Sequence, residues 1–108
     1  MSSIVEVTTT LETAEQAQSL ARQLVEMRLA ACVQISGPIR SLYYWEEELC
    51  DSAEYRCTIK SEERLIAALE QTIKKLHPYD VPEILVTKVS HCSEEYRLWV
   101  HNQLLRKE

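Results

Sequence analysis

Four cysteines and three histidines are the side chains of this chain best suited to hold a soft or borderline metal ion, and their spacing narrows what they could do. Cys32, Cys50, Cys57 and Cys92 are widely scattered with no C-x-x-C pair, so neither a zinc-ribbon nor a thioredoxin-like spacing is present and no disulfide framework is implied. Free thiols in such a chain are by default small buried hydrophobes. Cys32 lies in an apolar run and is core on that reading, whereas a thiolate there, shared among facing copies of the chain, would suit copper(I). His77 ends a helical pattern and precedes Pro78, a place where imidazole either caps the helix and hydrogen-bonds at the surface or ligates a metal. His91 and Cys92 are adjacent on an extended segment, so they point apart and can share one ion only if the chain turns there.

Lys60 and Glu83 are the candidates for a polar pocket beside the loop that carries Tyr79. The lysine either meets a small anion there or pairs with the carboxylate. Tyr43, Tyr44 and Trp45 put aromatics on both faces of one strand, which favours a subunit contact over a stacking platform. No nucleophile, base and orienting group stand at a catalytic spacing, and a single glycine, Gly37, cannot build a phosphate-cradling loop. The expectation is therefore a protein without catalytic residues or an organic cofactor.

These side chains must be placed by a small number of elements. Val5 and Val7 alternate with Glu6 and Thr8, which predicts a half-buried strand over 4–9. Thr13 with Gln16 forms a capping-box pattern, and Ala14, Ala17, Leu20, Ala21, Leu24 and Val25 then recur at helical spacing as far as about Arg28. The runs 30–35 and 39–45, bent at Gly37-Pro38, predict one long kinked strand. The acidic stretch 46–48 separates it from a second extended run in which Tyr55, Cys57 and Ile59 share a face, so the two make a long hairpin. Ser61 is expected to cap a second helix with Leu65, Ile66, Leu69, Ile73 and Leu76 on one stripe. After Pro78 and Pro82 a fourth strand is expected over 84–89. Ser93 then caps a last helix with Tyr96, Trp99, Val100 and Leu104 on one face, before the polar end Arg106, Lys107 and Glu108. The order β-α-β-β-α-β-α is that of an α+β ferredoxin-like βαββαβ sandwich with a C-terminal helix, two helices covering one face of an antiparallel sheet and leaving the other free of helices.

Residues 1–108 have the size of a single domain, and with 45% hydrophobic and 27% charged residues the composition is that of a globular protein. A net charge of −5 with no basic, aromatic-laced run argues against nucleic acid as a partner. No apolar stretch approaches a membrane span and the first residues lack a signal-peptide pattern, so the expected location is the cytoplasm, away from membranes.

The segment Leu29-Ala30-Ala31-Cys32, preceded by Val25-Glu26-Met27-Arg28, resembles the signature that closes the first helix in the CutA divalent-cation-tolerance family. Ser41-Leu42-Tyr43-Tyr44-Trp45, Ile59-Lys60, the run His77-Pro78-Tyr79-Asp80-Val81-Pro82-Glu83, and Tyr96 with Trp99 are similar to that family's sequence in order and spacing. The resemblance implies a ferredoxin-like homotrimer related in architecture to the PII signalling proteins, and a link to tolerance of copper and other divalent cations. It offers Cys32 and His77 as metal ligands, an inter-subunit pocket at Lys60, Tyr79 and Glu83, and an interface at Tyr43, Tyr44 and Trp45. The alternatives it implies are a PII-like sensor of a small anionic ligand bound between subunits and, from an animal branch tied to acetylcholinesterase anchoring, an adaptor, neither with a physiological metal. Two departures stand out. Thr9 occupies the place of a cysteine that some members carry as a proposed copper ligand, and Glu47-Glu48 replaces the usual Gly-Lys at the hairpin tip.

Overall fold

A computed structural model describes residues 2–106; Met1, Lys107 and Glu108, the last two belonging to the polar end expected from the sequence, lie outside the described residues. The elements run β1 (Ile4–Leu11), α1 (Ala14–Glu26), β2 (Cys32–Trp45), β3 (Glu48–Glu62), α2 (Ile66–Leu76), β4 (Leu85–Lys88) and α3 (Glu94–Gln103). The four strands form one antiparallel sheet in the order β2-β3-β1-β4. This is the ferredoxin-like α+β plan with an added C-terminal helix.

Alternation decides which side chains face the core. Val5 and Val7 on β1 and Cys57 and Ile59 on β3 are essentially fully buried against Ala17, Leu20 and Leu24 of α1 and Leu69 and Ile73 of α2. Each large aliphatic side chain so buried stabilises the fold by about 1.5–3 kcal/mol relative to exposure. The Thr13 hydroxyl accepts from the Gln16 N–H while the Gln16 side chain accepts from the Thr13 N–H, so α1 begins at the expected capping box. Val25, expected on the buried stripe, is 39% exposed, because it lies one position round the helix from Leu24, which is fully buried at the stripe's centre.

Ser61 is not a helix cap. It stays in β3, fully buried, where its hydroxyl donates to the Leu29 carbonyl at 2.7 Å, and a single 3-10 turn at Glu63–Leu65 carries the chain into α2. The hydrogen bond to Leu29 ties β3 to the end of α1, a long-range demand that outweighs the local capping tendency. The second sheet face is not free of helices either. The Glu62 carboxylate, on that face with Ile4, is fully buried between Arg64 Nε at 2.7 Å and His101 Nδ1 at 2.9 Å, so α3 lies across this end of the sheet. Val100 and Leu104 are buried there, while Tyr96 and Trp99, expected on the same buried face, stack on one another and stay partly exposed.

The hairpin of β2 and β3 reaches beyond the core. Its bend is a bulge between Ser36 and Ile39, with Gly37 at φ +147°. A side chain at Gly37 would put its Cβ 2.8 Å from the Tyr55 ring and 3.0 Å from the Glu54 carbonyl, so only glycine fits. Trp45 pairs with Glu48, which makes Glu46 and Glu47 the two turn residues, both at positive φ. The outer hairpin leaves Leu42, Tyr44, Trp45 and Leu49 more than half exposed. Edge strand β4 likewise leaves Leu85 and Val86 uncovered.

Candidate functional site

Two polar clusters occupy opposite ends of β1. At its C-terminal end, α2 stops at His77, which stands as the C-cap with its N–H donating to the Ile73 carbonyl at 2.8 Å. Its ring does not lie on the surface. It is 7% exposed and Nε2 donates to the Thr10 carbonyl at 2.8 Å, while Nδ1 accepts from the Tyr79 N–H at 3.1 Å. Both nitrogens are thus engaged in the neutral Nε2–H form. Burial pushes the His77 pKa down, against the upward pull of the Thr10 carbonyl and the Glu54 carboxylate, so protonation is resisted. The Tyr79 ring packs edge-on to His77 with centroids 4.6 Å apart, and its hydroxyl donates to Glu54 Oε2 at 2.7 Å. The other oxygen of Glu54 accepts from the Ser41 hydroxyl at 2.7 Å. Burial, then the bond to Glu54, drives the Tyr79 pKa well up, so the phenol keeps its proton.

Beside this network lies an open cleft of about 450 Å³ lined by Thr10, Tyr43, Trp45, Cys50, Glu54, Tyr79 and the loop residues Asp80, Val81 and Glu83. Within one chain Tyr79 and Glu83 line the same cleft and Lys60 does not. Lys60 stands four residues of β1 away, opposite Glu6, where its ammonium lies 3.7 Å from the Glu6 carboxylate and donates to Gln34 Oε1 at 3.0 Å. Within one chain Lys60 is not paired with Glu83, because register sets it across from Glu6 and Cys32. The cleft is acidic and aromatic, so it suits a cation rather than the anion a lysine would have attracted.

The second cluster surrounds that lysine. Cys32 opens β2 directly across from Lys60 and is partly buried. On α3 the Tyr96 pKa is raised, first by burial and then by Cys32. Cys92 is partly buried and packs against the core, while its neighbour His91 is exposed, so the two do point apart. Cys32 and His77 belong to different clusters, about four strand residues or roughly 13 Å apart along β1, and cannot share one ion within a chain.

The remaining thiols are placed differently. Cys57 is fully buried in the core, its thiol pushed up to about 11 by burial and donating weakly to the Ala17 carbonyl at 3.8 Å, so it is inert. Cys50 sits near the hairpin tip with its thiol toward the Glu48 carbonyl. The Thr9 hydroxyl is buried in the core with no hydrogen-bond partner among the described residues, so this position faces inward and offers nothing to an ion at the surface. Among the described residues no three Cys, His, Asp or Glu side chains converge as a metal site.

Sequence reasoning passed over Glu54, Cys92 and Tyr96 as members of these clusters. Glu54 carries a signal, being an acid inside an extended run whose neighbours Ala53 and Tyr55 are not acidic. For Cys92 and Tyr96 the signal is only their four-residue spacing around the Ser93 cap, and it points nowhere until α3 is seen to cross the sheet.

The chain resembles known proteins nearly end to end. The family model described as CutA1 divalent ion tolerance protein matches residues 5–103. A protein named divalent-cation tolerance protein CutA from Pectobacterium atrosepticum is 46% identical over 88 residues, 82% of this chain and 80% of that one. Its namesake from Thermus thermophilus is 36% identical over 91 residues, 84% of this chain and 88% of the relative. The crystal structure of CutA1 from Oryza sativa superposes with a TM-score of 0.95 at 32% identity, covering 98% of this chain and 97% of that one. With a family model spanning all but the termini and the same fold in a solved relative, this chain belongs to the CutA1 divalent ion tolerance family.

Proposed function

We propose that the protein is a non-catalytic cytoplasmic homotrimer that binds a divalent or soft metal ion such as copper and so contributes to divalent-cation tolerance. The observation that carries this reading is family membership, since its relatives from Pectobacterium and Thermus bear the name of divalent-cation tolerance proteins. Cys32 is the ligand it favours, being a partly exposed thiol beside a cation. His77 supports the fold instead, because both its nitrogens are committed. Self-association is supported by the uncovered outer hairpin, where Tyr43, Tyr44 and Trp45 lie 43%, 74% and 52% exposed, and by the apolar edge strand β4. The acidic net charge argues against nucleic acid, and no helix among the described residues is long and apolar enough to cross a membrane.

Metal titration into chelator-treated, reduced protein, read as heat and as oligomer size by light scattering, tests both parts. Binding by a trimer is expected; a monomer at micromolar concentration removes the assembly, and no heat with copper removes the metal. The acidic aromatic cleft favours a second reading, a PII-like small-ligand sensor whose ligand is cationic. Thermal shifts with organic amines, absent with nucleotides and carboxylates, would support it.

A further inference from the structure

We propose that the cleft between the outer hairpin and the loop after Pro78 binds a small organic cation with N–H donors, an amine or guanidine, for which the buried Glu54 carboxylate supplies the counter-charge. This rests on the small-ligand reading and names the ligand class and its partners. Glu54 is only 9% exposed and lines the cleft. Its two oxygens both accept, one from the Ser41 hydroxyl and one from the Tyr79 hydroxyl, each at 2.7 Å, so the group stands as a carboxylate. Both donors are neutral. His77 cannot supply a positive charge, because both its nitrogens are committed in the neutral form. No ion pair among the described residues involves Glu54, Asp80 or Glu83. A buried carboxylate ordinarily has a cation beside it, and the cleft is the side from which one can arrive.

The other walls of the cleft choose among cations. Glu54 has committed its hydrogen bonds but not its charge, so it attracts a cation without bonding to it. The exposed carboxylates of Asp80 and Glu83 line the same cleft and give N–H donors their acceptors. Tyr43 and Trp45 line the hairpin side, 43% and 52% exposed, and offer rings on which a cation can pack. A volume of about 450 Å³ is that of a small-molecule pocket. A bare metal ion wants three or more convergent ligands, and no such group of Cys, His, Asp and Glu exists among the described residues. Three acids repel a nucleotide or a carboxylate.

Benzylamine is the probe, because it joins one ring to one ammonium. Benzyl alcohol is its neutral counterpart, and benzyltrimethylammonium is a cation without N–H donors. Each is titrated into the full chain carrying Trp99→Phe, in which Trp45 is the one tryptophan left and its fluorescence reports on the cleft, while heat gives the affinity. Benzylamine is expected to move the Trp45 signal and to bind at least about 10-fold more tightly than either comparison compound. Asp80→Asn combined with Glu83→Gln, both exposed positions, should lose about 10-fold, and Glu54→Gln, which keeps the size and removes the charge, a similar factor. If Glu54→Gln melts early, the loop variant carries the test. Benzylamine bound with the Trp45 signal unmoved, or bound undiminished by the loop variant, overturns this site and leaves a cationic ligand elsewhere on the protein. An oligomer that dissociates as the amine binds shows that a second copy occupies the cleft, and overturns it too. Benzyl alcohol bound as tightly as benzylamine, or no binding of benzylamine and benzylguanidine, overturns both this site and the small-ligand reading.

Discussion

The two ends of β1 carry polar clusters of similar size and opposite character. Around His77 every polar atom has a protein partner: Thr10 and the Tyr79 N–H take both imidazole nitrogens, and Tyr79 and Ser41 take both oxygens of Glu54. Around Cys32 the thiols and the Tyr96 hydroxyl are partly exposed, with a lysine held nearby. A closed network rigidifies the fold and commits its own donors and acceptors, so a ligand in the neighbouring cleft would meet chiefly Asp80 and Glu83, whereas an open one costs little to assemble and keeps its donors free. The loop that carries His77 and Tyr79 thus serves structure at one end, and Cys32 stands partly exposed beside Lys60 at the other.

The largest test of this contrast is Glu54→Ala. It strips the acceptor from the Tyr79 and Ser41 hydroxyls and leaves two part-buried donors unpaired, so denaturant melts should show a loss of about 2–4 kcal/mol. Copper(I) affinity should not move. A loss under about 0.5 kcal/mol would mean that the network is open to water and that the two ends do not differ.

His77 sharpens the same point through pH. Its native pKa lies below the ordinary 6.5, so between those two values the unfolded chain binds more protons than the folded one. Stability from this group is fully present above about 6.5 and is lost as pH falls through that value toward the lower native one. His77→Gln, which cannot take the proton, should flatten the melting temperature against pH in that window. An identical slope in both proteins would show that His77 titrates freely. The hairpin tip gives a smaller effect. Glu46 and Glu47 hold positive φ without being glycine or asparagine, so Glu47→Gly should raise stability by about 1 kcal/mol in thermal melts.

Local pattern explains what sequence reading reached. The capping box at Thr13, the alternation of Val5 and Val7, and the Ser93 cap depend on neighbours within four residues, and each stands where its pattern puts it. Ser61 misled because its decisive partner, Leu29, lies on another element. The partners of Lys60 and His77 are likewise set by strand register, which no local pattern contains: a shift by one pair would bring different side chains across from Cys32. The crossing of α3 over the second face, sealed by Glu62 and His101, was invisible for the same reason.

The smallest expected effect is the sharpest probe of the open cluster. Tyr96→Phe removes one hydroxyl and keeps the ring stacked on Trp99 and the Ser93 cap, which involves only the backbone of residue 96. Because Tyr96 is 38% exposed, its hydroxyl can be served by water, and the fold should lose no more than about 0.5 kcal/mol. The same hydroxyl in a closed network, as at Tyr79, would cost several times that. A melt of Tyr96→Phe beside Tyr79→Phe makes the comparison within one protein, with equal chemistry deleted at each end of β1. Equal losses would mean that both clusters are structural and that the two ends of β1 do not differ.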